Sequence, residues 1–441
     1  MTDEQKTAAP KKFLFVSHES LSGDLAWQLK KEGHEVKVYI KAKSDADVYD
    51  GILDKVPDWE AEKDWADVVV FDDVGFGEAA DKLRTAGKLV IGGSVYTDRL
   101  EIEREYGQSE MKRLGLLTLP HWDFENFDDA IKFLKENPGR YAWKPSGNTP
   151  SYMKGLLFLG TEEDGKDIVE ILERNKNGWG KKIKNFQLQK FVSGVEVAVG
   201  AFFNGHDFIQ PVNINFEHKK LFPGDIGPYT GEMGTLMFWT ATNTLFRATL
   251  EKMRDELRAA KYAGYVDIDC IANVRGIYPL EFTCRFGYPT ISIQMEGVQS
   301  EWGEFFLALA SGTPFELKTK KGFQIGAIIA VPPFPYDDQK TTDTYKDLSI
   351  LFKKPNLPAG RQGMEGMHLG DVKIVDGDWR VAGESGYVLV VTGSGTTVTE
   401  ARVQMYNRIG NIMLQNMFYR TDIGAKWTED SDRLQTWGYL Y

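Results

Sequence analysis

Cysteine is nearly absent: the 441-residue chain holds two, Cys270 and Cys284. Two thiols cannot staple a fold of this length, so its stability must come from packed cores. Both fall in strand-like segments, where they read as buried side chains of a reducing compartment. No stretch approaches the ~18 apolar residues of a membrane span, and no basic-then-apolar leader opens the chain. A cytoplasmic protein without a membrane partner is the expectation. Positive charge is in deficit, with 53 Lys and Arg against 64 Asp and Glu and a net charge of −11. A nucleic-acid backbone would be repelled overall, so anionic ligands must be held by local donors. Histidine is scarce, six in all. His34, His121 and His206 read as loop residues, and His218 as a hydrogen-bonding partner rather than a base. Internal repeats and low-complexity tracts are missing.

What is present is an ordinary globular composition, 42% hydrophobic and 27% charged, on a chain too long for one core. Residues 13–16, 36–40, 68–71 and 89–91 are short apolar runs alternating with helical patterns at 24–31 and 78–84. That alternation predicts a doubly wound parallel sheet over 13–100. Ligands of such sheets lie beyond the strand carboxyl ends, which here carry Ser17-His18-Glu19-Ser20, Asp72-Asp73 and Gly92-Gly93-Ser94. From 101 to 320 the pattern becomes α+β in two lobes, with helices expected at 100–114, 128–136 and 243–260. A mostly β region follows at 321–424, and 1–12 and 425–441 read as tails. Residues 357–363 read as an exposed loop.

Two strand-like segments, the run 264–273 and the stretch 281–289, flank a turn at Gly276 and bring Asp269 and Glu281 side by side. Paired carboxylates on neighbouring strands are hard oxygen ligands suited to Mg²⁺ or Mn²⁺ that also holds nucleotide phosphates. Arg285, four residues on, offers a guanidinium for a carboxylate or phosphate. Lys144 ends an apolar strand before a loop of small residues (145–155) that includes Lys154. Either lysine can reach phosphates, and either can equally be a surface lysine. Gln189, Lys190 and Val192 lie on a segment whose main chain can meet an adenine edge, and Glu196 follows as a candidate for ribose hydroxyls. In the segment 224–234, Gly224, Gly227, Gly231 and Gly234 surround Asp225 and Thr230, which suits close backbone approach to a small ligand.

These blocks, with 388–395 and 417–424, resemble glycinamide ribonucleotide synthetase (phosphoribosylamine–glycine ligase) in order and spacing from 13 to 424. Met367-His368-Leu369-Gly370 also matches a His-containing turn of that family. The resemblance implies an ATP-grasp fold and an ATP-dependent ligase of purine biosynthesis. Glycine is phosphorylated to an acyl phosphate, and the amine of phosphoribosylamine then displaces phosphate. It assigns Glu281 to the metal, Lys144 and the 145–155 loop to ATP phosphates, and Glu196 to ribose. Arg285, Asp225 and Thr230 would surround the substrates, with Asp73, Gly227, Gly231 and Gly287 as further contacts. A monomer or small homo-oligomer is expected.

Departures from the family pattern concentrate at the substrate end. Thr283 replaces an Asn metal ligand, and Asp269 stands where the family has no carboxylate. Tyr229 and Glu232 add bulk and charge to the glycine-rich loop, and Tyr288-Pro289-Thr290 replaces an Asp-Pro-acid run. Gln108 stands for an ATP-binding lysine. Glu19-Ser20-Leu21-Ser22 replaces a Gly-Gly-Arg-Glu cluster. Three readings follow: a divergent member, a related ligase joining a different acid and amine, or a nucleotide-binding homologue without catalysis.

Overall fold

The computed structural model describes residues 9–146, 156–336, 338–353 and 364–441. The expected loop 357–363, most of the 145–155 loop and residues 1–8 lie outside them. Among the described residues no helix is long and apolar enough to cross a membrane.

Strands β1 (Lys12–Ser17), β2 (Glu35–Ile40), β3 (Asp54–Lys55), β4 (Val68–Phe71) and β5 (Leu89–Ile91) form a parallel sheet in the order β3-β2-β1-β4-β5. Alternation along β1 sends Phe13 and Phe15 into one core with Leu25 and Leu29, and Leu14 and Val16 into another with Ala80 and Leu83. A strand buried on both faces reads as a continuous apolar run, as this one does. The order reverses between β1 and β4, so their carboxyl ends, Ser17 and Asp72, flank the crevice where such sheets take ligands.

A second, antiparallel sheet runs β6-β9-β7-β8, from β6 (His121–Phe124), β7 (Tyr141–Ser146), β8 (Phe158–Leu159) and β9 (Asn185–Lys190). Helix Phe127–Glu136 buries Phe127, Ala130, Ile131 and Leu134, an i, i+3, i+4, i+7 stripe. With helix Lys166–Trp179 it packs on Trp143, Phe186 and Leu188. The neighbouring residues Lys144, Gln187 and Gln189 therefore point from the opposite face.

The third sheet has eight strands in the order β16-β15-β10-β11-β14-β17-β22-β19. They are β10 (Val195–Asn204), β11 (Phe208–Glu217), β14 (Gly234–Thr240), β15 (Ala263–Asn273), β16 (Gly276–Thr283), β17 (Phe323–Ala330), β19 (Met367–Leu369) and β22 (Tyr387–Gly395). The intervening labels belong to small pairs: β12 (Lys220–Phe222) with β13 (Ile226–Tyr229), β18 (Leu351–Phe352) with β23 (Ile412–Met413), and β20 (Val372–Val375) with β21 (Asp378–Val381).

This sheet crosses the division expected near 320: β17 pairs with β14, and β22 with β17. The C-terminal strands thus extend the central sheet. The segment 425–441 is not a loose tail either, since helix Trp427–Thr436 buries Leu434 and the Tyr441 carbonyl accepts from Thr244 N at 2.7 Å. The helix expected over 243–260 is interrupted. Thr249 leaves helical geometry (φ −126°, ψ −93°) and its hydroxyl donates to the Leu245 carbonyl at 2.6 Å, diverting the backbone between Thr244–Ala248 and Leu250–Met253. The helix expected over 100–114 starts earlier, at a Ser94/Thr97 capping box, and breaks at Glu103 into Val95–Ile102 and Arg104–Arg113.

A buried polar chain ties the first and last parts together. Asp24 accepts from Leu369 N at 3.0 Å and contacts His368 Nδ1 at 2.8 Å; His368 Nε2 meets Thr392 Oγ1 at 3.1 Å, and Thr392 donates to Glu296 at 3.0 Å. Arg408 and Lys320 also reach Glu296, at 3.1 and 2.9 Å. Asp24→Ala orphans a buried amide and an imidazole, so it is expected to lower unfolding free energy by about 2–3 kcal/mol. Urea denaturation checks this; a change under about 0.5 kcal/mol would show the chain to be incidental.

Candidate active site

Asp269 and Glu281 are register partners on β15 and β16, as their spacing predicts, and Asp267 pairs with Thr283 beside them. Because strand residues alternate, Asp267, Asp269, Glu196 on β10 and Asn213, Asn215 and Glu217 on β11 share one face of the sheet. Gly200 on β10 is bare for a reason: a Cβ there would lie 1.8 Å from the Tyr265 hydroxyl. That hydroxyl accepts from Asn213 at 2.9 Å.

Lys219 projects into this acidic face. Its Nζ lies 2.6 Å from Asp269, 3.0 Å from Glu196, 3.4 Å from Glu217 and 3.9 Å from Glu281. Arg104 reaches Glu281 at 3.9 Å. Burial raises the Asp269 pKa well above the ordinary carboxylate value even with Lys219 beside it. Crowding would also raise that of Glu281, yet Lys219, Arg104 and Lys144 together hold it below the usual range. Asp269 Oδ1 is buried without a partner among the described residues. The oxygen donors of Asp269 and Glu281 fit a hard divalent cation. Among the described residues no three acidic, imidazole or thiolate groups converge to cage one unaided, so phosphate oxygens or water would complete the shell. Thr283 turns its side chain to Asp267.

Lys144, on the second sheet, faces this cluster. Its ammonium donates to Gln189 Oε1 at 2.7 Å, and burial, with Arg104 and Lys219 nearby, lowers its pKa to about 8. Gln108 forms a reciprocal amide pair with Gln187 at 3.2–3.3 Å. Lys154 lies outside the described residues. Residues 191–194, including half-buried Val192, carry the chain from β9 to β10 and so link the two sheets. Lys190 N donates to the Pro120 carbonyl at 2.8 Å and its ammonium covers Tyr141.

The glycine-rich segment places its residues unevenly. Thr230 grips the Lys219 carbonyl with both its N–H and hydroxyl, at 2.8 and 3.0 Å. Asp225, at φ +55°, pairs instead with Arg420 at 2.9 Å and with Lys426, so its carboxylate is spent on the C-terminal segment. Gly227 sits where a Cβ would strike the Phe222 ring at 2.7 Å, whereas Gly231 has open space around it. Tyr229 packs beneath Lys220, with the ammonium 3.6 Å from its ring. Glu232 is buried, and burial with Glu217 nearby raises its pKa well above the carboxylate range. The charge expected of it is therefore suppressed in favour of the neutral acid. His218 is buried with its pKa lowered to about 4, and Nε2 accepts from Gly424 N at 3.3 Å.

Arg285 is committed within the protein. Its Nε donates to Glu101 at 3.0 Å and lies 3.1 Å from Asp73, and Glu101 also accepts from Cys284 N at 2.8 Å. Both cysteines are buried free thiols. Gly287 leaves no room for a side chain, since a Cβ would lie 2.8 Å from Thr290 Cβ. At the β1 end, Ser20 adopts φ +64° and Ser22 donates to Asp72 through its hydroxyl at 2.5 Å. The turn that replaces the family's arginine cluster is thus folded onto a carboxylate. Sequence reasoning passed over Lys219, Arg104, Glu101, Asp267 and Glu217. The i, i+2 spacing of Asp267 and Asp269 was the one local signal, since it puts both on one face.

Asp72 is fully buried, and burial pushes its pKa up to about 7. An acid with a raised native pKa binds more protons folded than unfolded, so its contribution to stability falls as pH rises from about 4 towards 7. Asp72→Asn is expected to flatten that decline and to raise the unfolding free energy at pH 8 relative to wild type by an amount on the order of 1 kcal/mol. Equal pH slopes in the two proteins, by calorimetry, would refute this.

Known proteins match this arrangement. Residues 103–291 match the phosphoribosylglycinamide synthetase, ATP-grasp (A) domain. The phosphoribosylamine–glycine ligase of Streptococcus pneumoniae is 25% identical over 367 residues, 80% of this chain and 82% of that protein. The Neisseria meningitidis protein of that name is 24% identical over 360 residues, 78% and 80%. The crystal structure of phosphoribosylamine–glycine ligase from Thermotoga maritima superposes with a TM-score of 0.69 at 22% identity, over 93% of this chain and all of that one. A biotin carboxylase domain from Hydrogenobacter thermophilus, in complex with ADP, shares the fold more distantly, with a TM-score of 0.60 at 14% identity over 98% of this chain and 96% of that one. Over residues 103–291 the chain is thus similar to the ATP-grasp (A) domain of phosphoribosylglycinamide synthetase, and over 80% of its length to a phosphoribosylamine–glycine ligase.

Proposed function

We propose that this chain is an ATP-dependent ligase that joins glycine to phosphoribosylamine through an acyl phosphate, the activity that names its curated relatives. One observation carries the reading: Lys144 on the second sheet and the Asp269–Glu281 pair on the third face each other, close enough for each to shift the other's charge state. In this reading Lys144 serves the phosphates from the second sheet, and Asp269 and Glu281 the metal from the third.

Lys144 and Arg104 would bind phosphate oxygens and Glu196 the ribose; the backbone at Val192, beyond the end of β9, would meet the adenine edge, since Gln189 is paired on both sides within the sheet and the Lys190 N–H is given to Pro120. Asp269 and Glu281 would hold Mg²⁺ or Mn²⁺, which supplies charge neutralisation at the transferring phosphoryl group. With that group oriented, the acid's carboxylate oxygen attacks the γ-phosphorus and ADP leaves. The amine then attacks the acyl carbon, loses a proton and expels inorganic phosphate. Thr230 would act by fixing the backbone of Lys219, and Asp225 by fixing the loop. Gly231 would give the ligand backbone access. Arg285, Asp73 and Gly287 would border the amine.

A second reading, a ligase of the same chemistry with another amine, is favoured by the engagement of Arg285 with Glu101 and Asp73 and of Ser22 with Asp72. A phosphorylated amine would have to compete with carboxylates already in place. ADP release measured over a panel of acids and amines tests both. Release confined to glycine with phosphoribosylamine supports the first reading, release with another pair the second, and none with any pair would reject both.

A further inference from the structure

We propose that Lys219 is a displaceable counter-ion, whose ammonium occupies the strand carboxylates in the nucleotide-free protein and excludes a divalent cation until nucleotide phosphates draw it away. This rests on the ligase reading above. The ammonium touches Asp269 at 2.6 Å and Glu196 at 3.0 Å, and Glu281 lies 3.9 Å off. An ammonium and a divalent ion cannot both contact Asp269 and Glu281 at such distances without strong repulsion. Glu217 lies 3.4 Å from the same ammonium, a further carboxylate on the face it occupies.

Two buried oxygens point to a further ligand: Asp269 Oδ1 and Glu232 Oε1 have no partner among the described residues, on residues 4% and 7% exposed. The movement asked of Lys219 is confined to its flexible stem. Thr230 pins the lysine's carbonyl and the His218 N–H is bonded to Gly234, and among the described residues the ammonium is held by carboxylates. An ammonium is a compact point charge that pairs with phosphate as readily as with carboxylate.

The test is Mn²⁺ binding to the full chain, followed by the loss of the free-ion electron paramagnetic resonance signal, with and without a non-hydrolysable ATP analogue. Wild type should take up Mn²⁺ in the micromolar range only with the analogue. Lys219→Met should bind Mn²⁺ alone at least about tenfold more tightly than wild type, and Mn²⁺ should raise its Tm by roughly 3 °C or more. Equal Mn²⁺ affinity of the two nucleotide-free proteins, with wild type still binding Mn²⁺ with the analogue, overturns the counter-ion role alone. Failure of wild type to bind Mn²⁺ even with the analogue overturns the ligase reading as well. Should Lys219→Met be insoluble, Lys219→Met/Glu217→Gln removes one uncompensated carboxylate while leaving Asp269 and Glu281, and the same outcomes apply.

Discussion

Glu281→Gln is expected to lower kcat by a factor of ~10³, with Tm and circular dichroism close to wild type. The substitution keeps the shape of the side chain and removes one charge. Glu281 is half exposed in the cleft and ringed by Lys219, Arg104 and Lys144, which hold it in its ionised form. It is therefore the carboxylate best prepared to bind a metal without first losing a proton. Its partner Asp269 is deeply buried, with the Lys219 ammonium 2.6 Å away as its counter-charge. Asp269→Asn should also be severe. ADP production at saturating ATP measures both variants. Near-normal turnover of Asp269→Asn would show that it is a strand carboxylate only, and near-normal turnover of Glu281→Gln would remove the metal assignment altogether.

Lys144→Met should raise KM for ATP by about 10- to 100-fold, the effect of losing a charge-assisted hydrogen bond of ~1.5–3 kcal/mol. The pH dependence identifies the cause. With a pKa of about 8, Lys144 is largely protonated at pH 7 and largely neutral at pH 9. Phosphates favour the charged form, so wild-type ATP affinity should fall as pH rises through 8 to 9, with proton uptake on binding. Lys144→Met should lose that slope. The stability linkage runs the other way: between pH 8 and 10.5 the unfolded chain carries more protons on this lysine, so its contribution makes stability rise with pH in that window. Calorimetric titration of a non-hydrolysable analogue at pH 7 and 9 decides the matter. An unchanged slope in the variant would place the titrating group elsewhere.

The parts legible in the sequence are those that local rules control. Continuous apolar runs marked β1 and β4, and the turn at Gly276 set the register that makes Asp269 and Glu281 neighbours. Helix ends were less legible. The break at Thr249 depends on one hydroxyl turning back to Leu245, and the start at Val95 on a capping box read only in retrospect. The division placed near 320 fell where composition changes, but hydrogen bonding between β14 and β17 ignores composition.

By itself the sequence determined the chemistry available: a parallel α/β layer, a lysine before a small-residue loop, and two carboxylates fixed opposite each other by strand pairing. Those follow from contacts near in sequence or from backbone periodicity. Only the tertiary structure decided how each charge is used. Lys219 meets Asp269 across 50 residues of chain, and Arg420 reaches Asp225 across 195. Arg285 is closed off by Glu101, 184 residues before it. Electrostatic pairing depends on distance and burial rather than on order along the chain. A residue's type therefore says that it can carry charge, and the packed fold says whether that charge faces a substrate, a metal or another side chain.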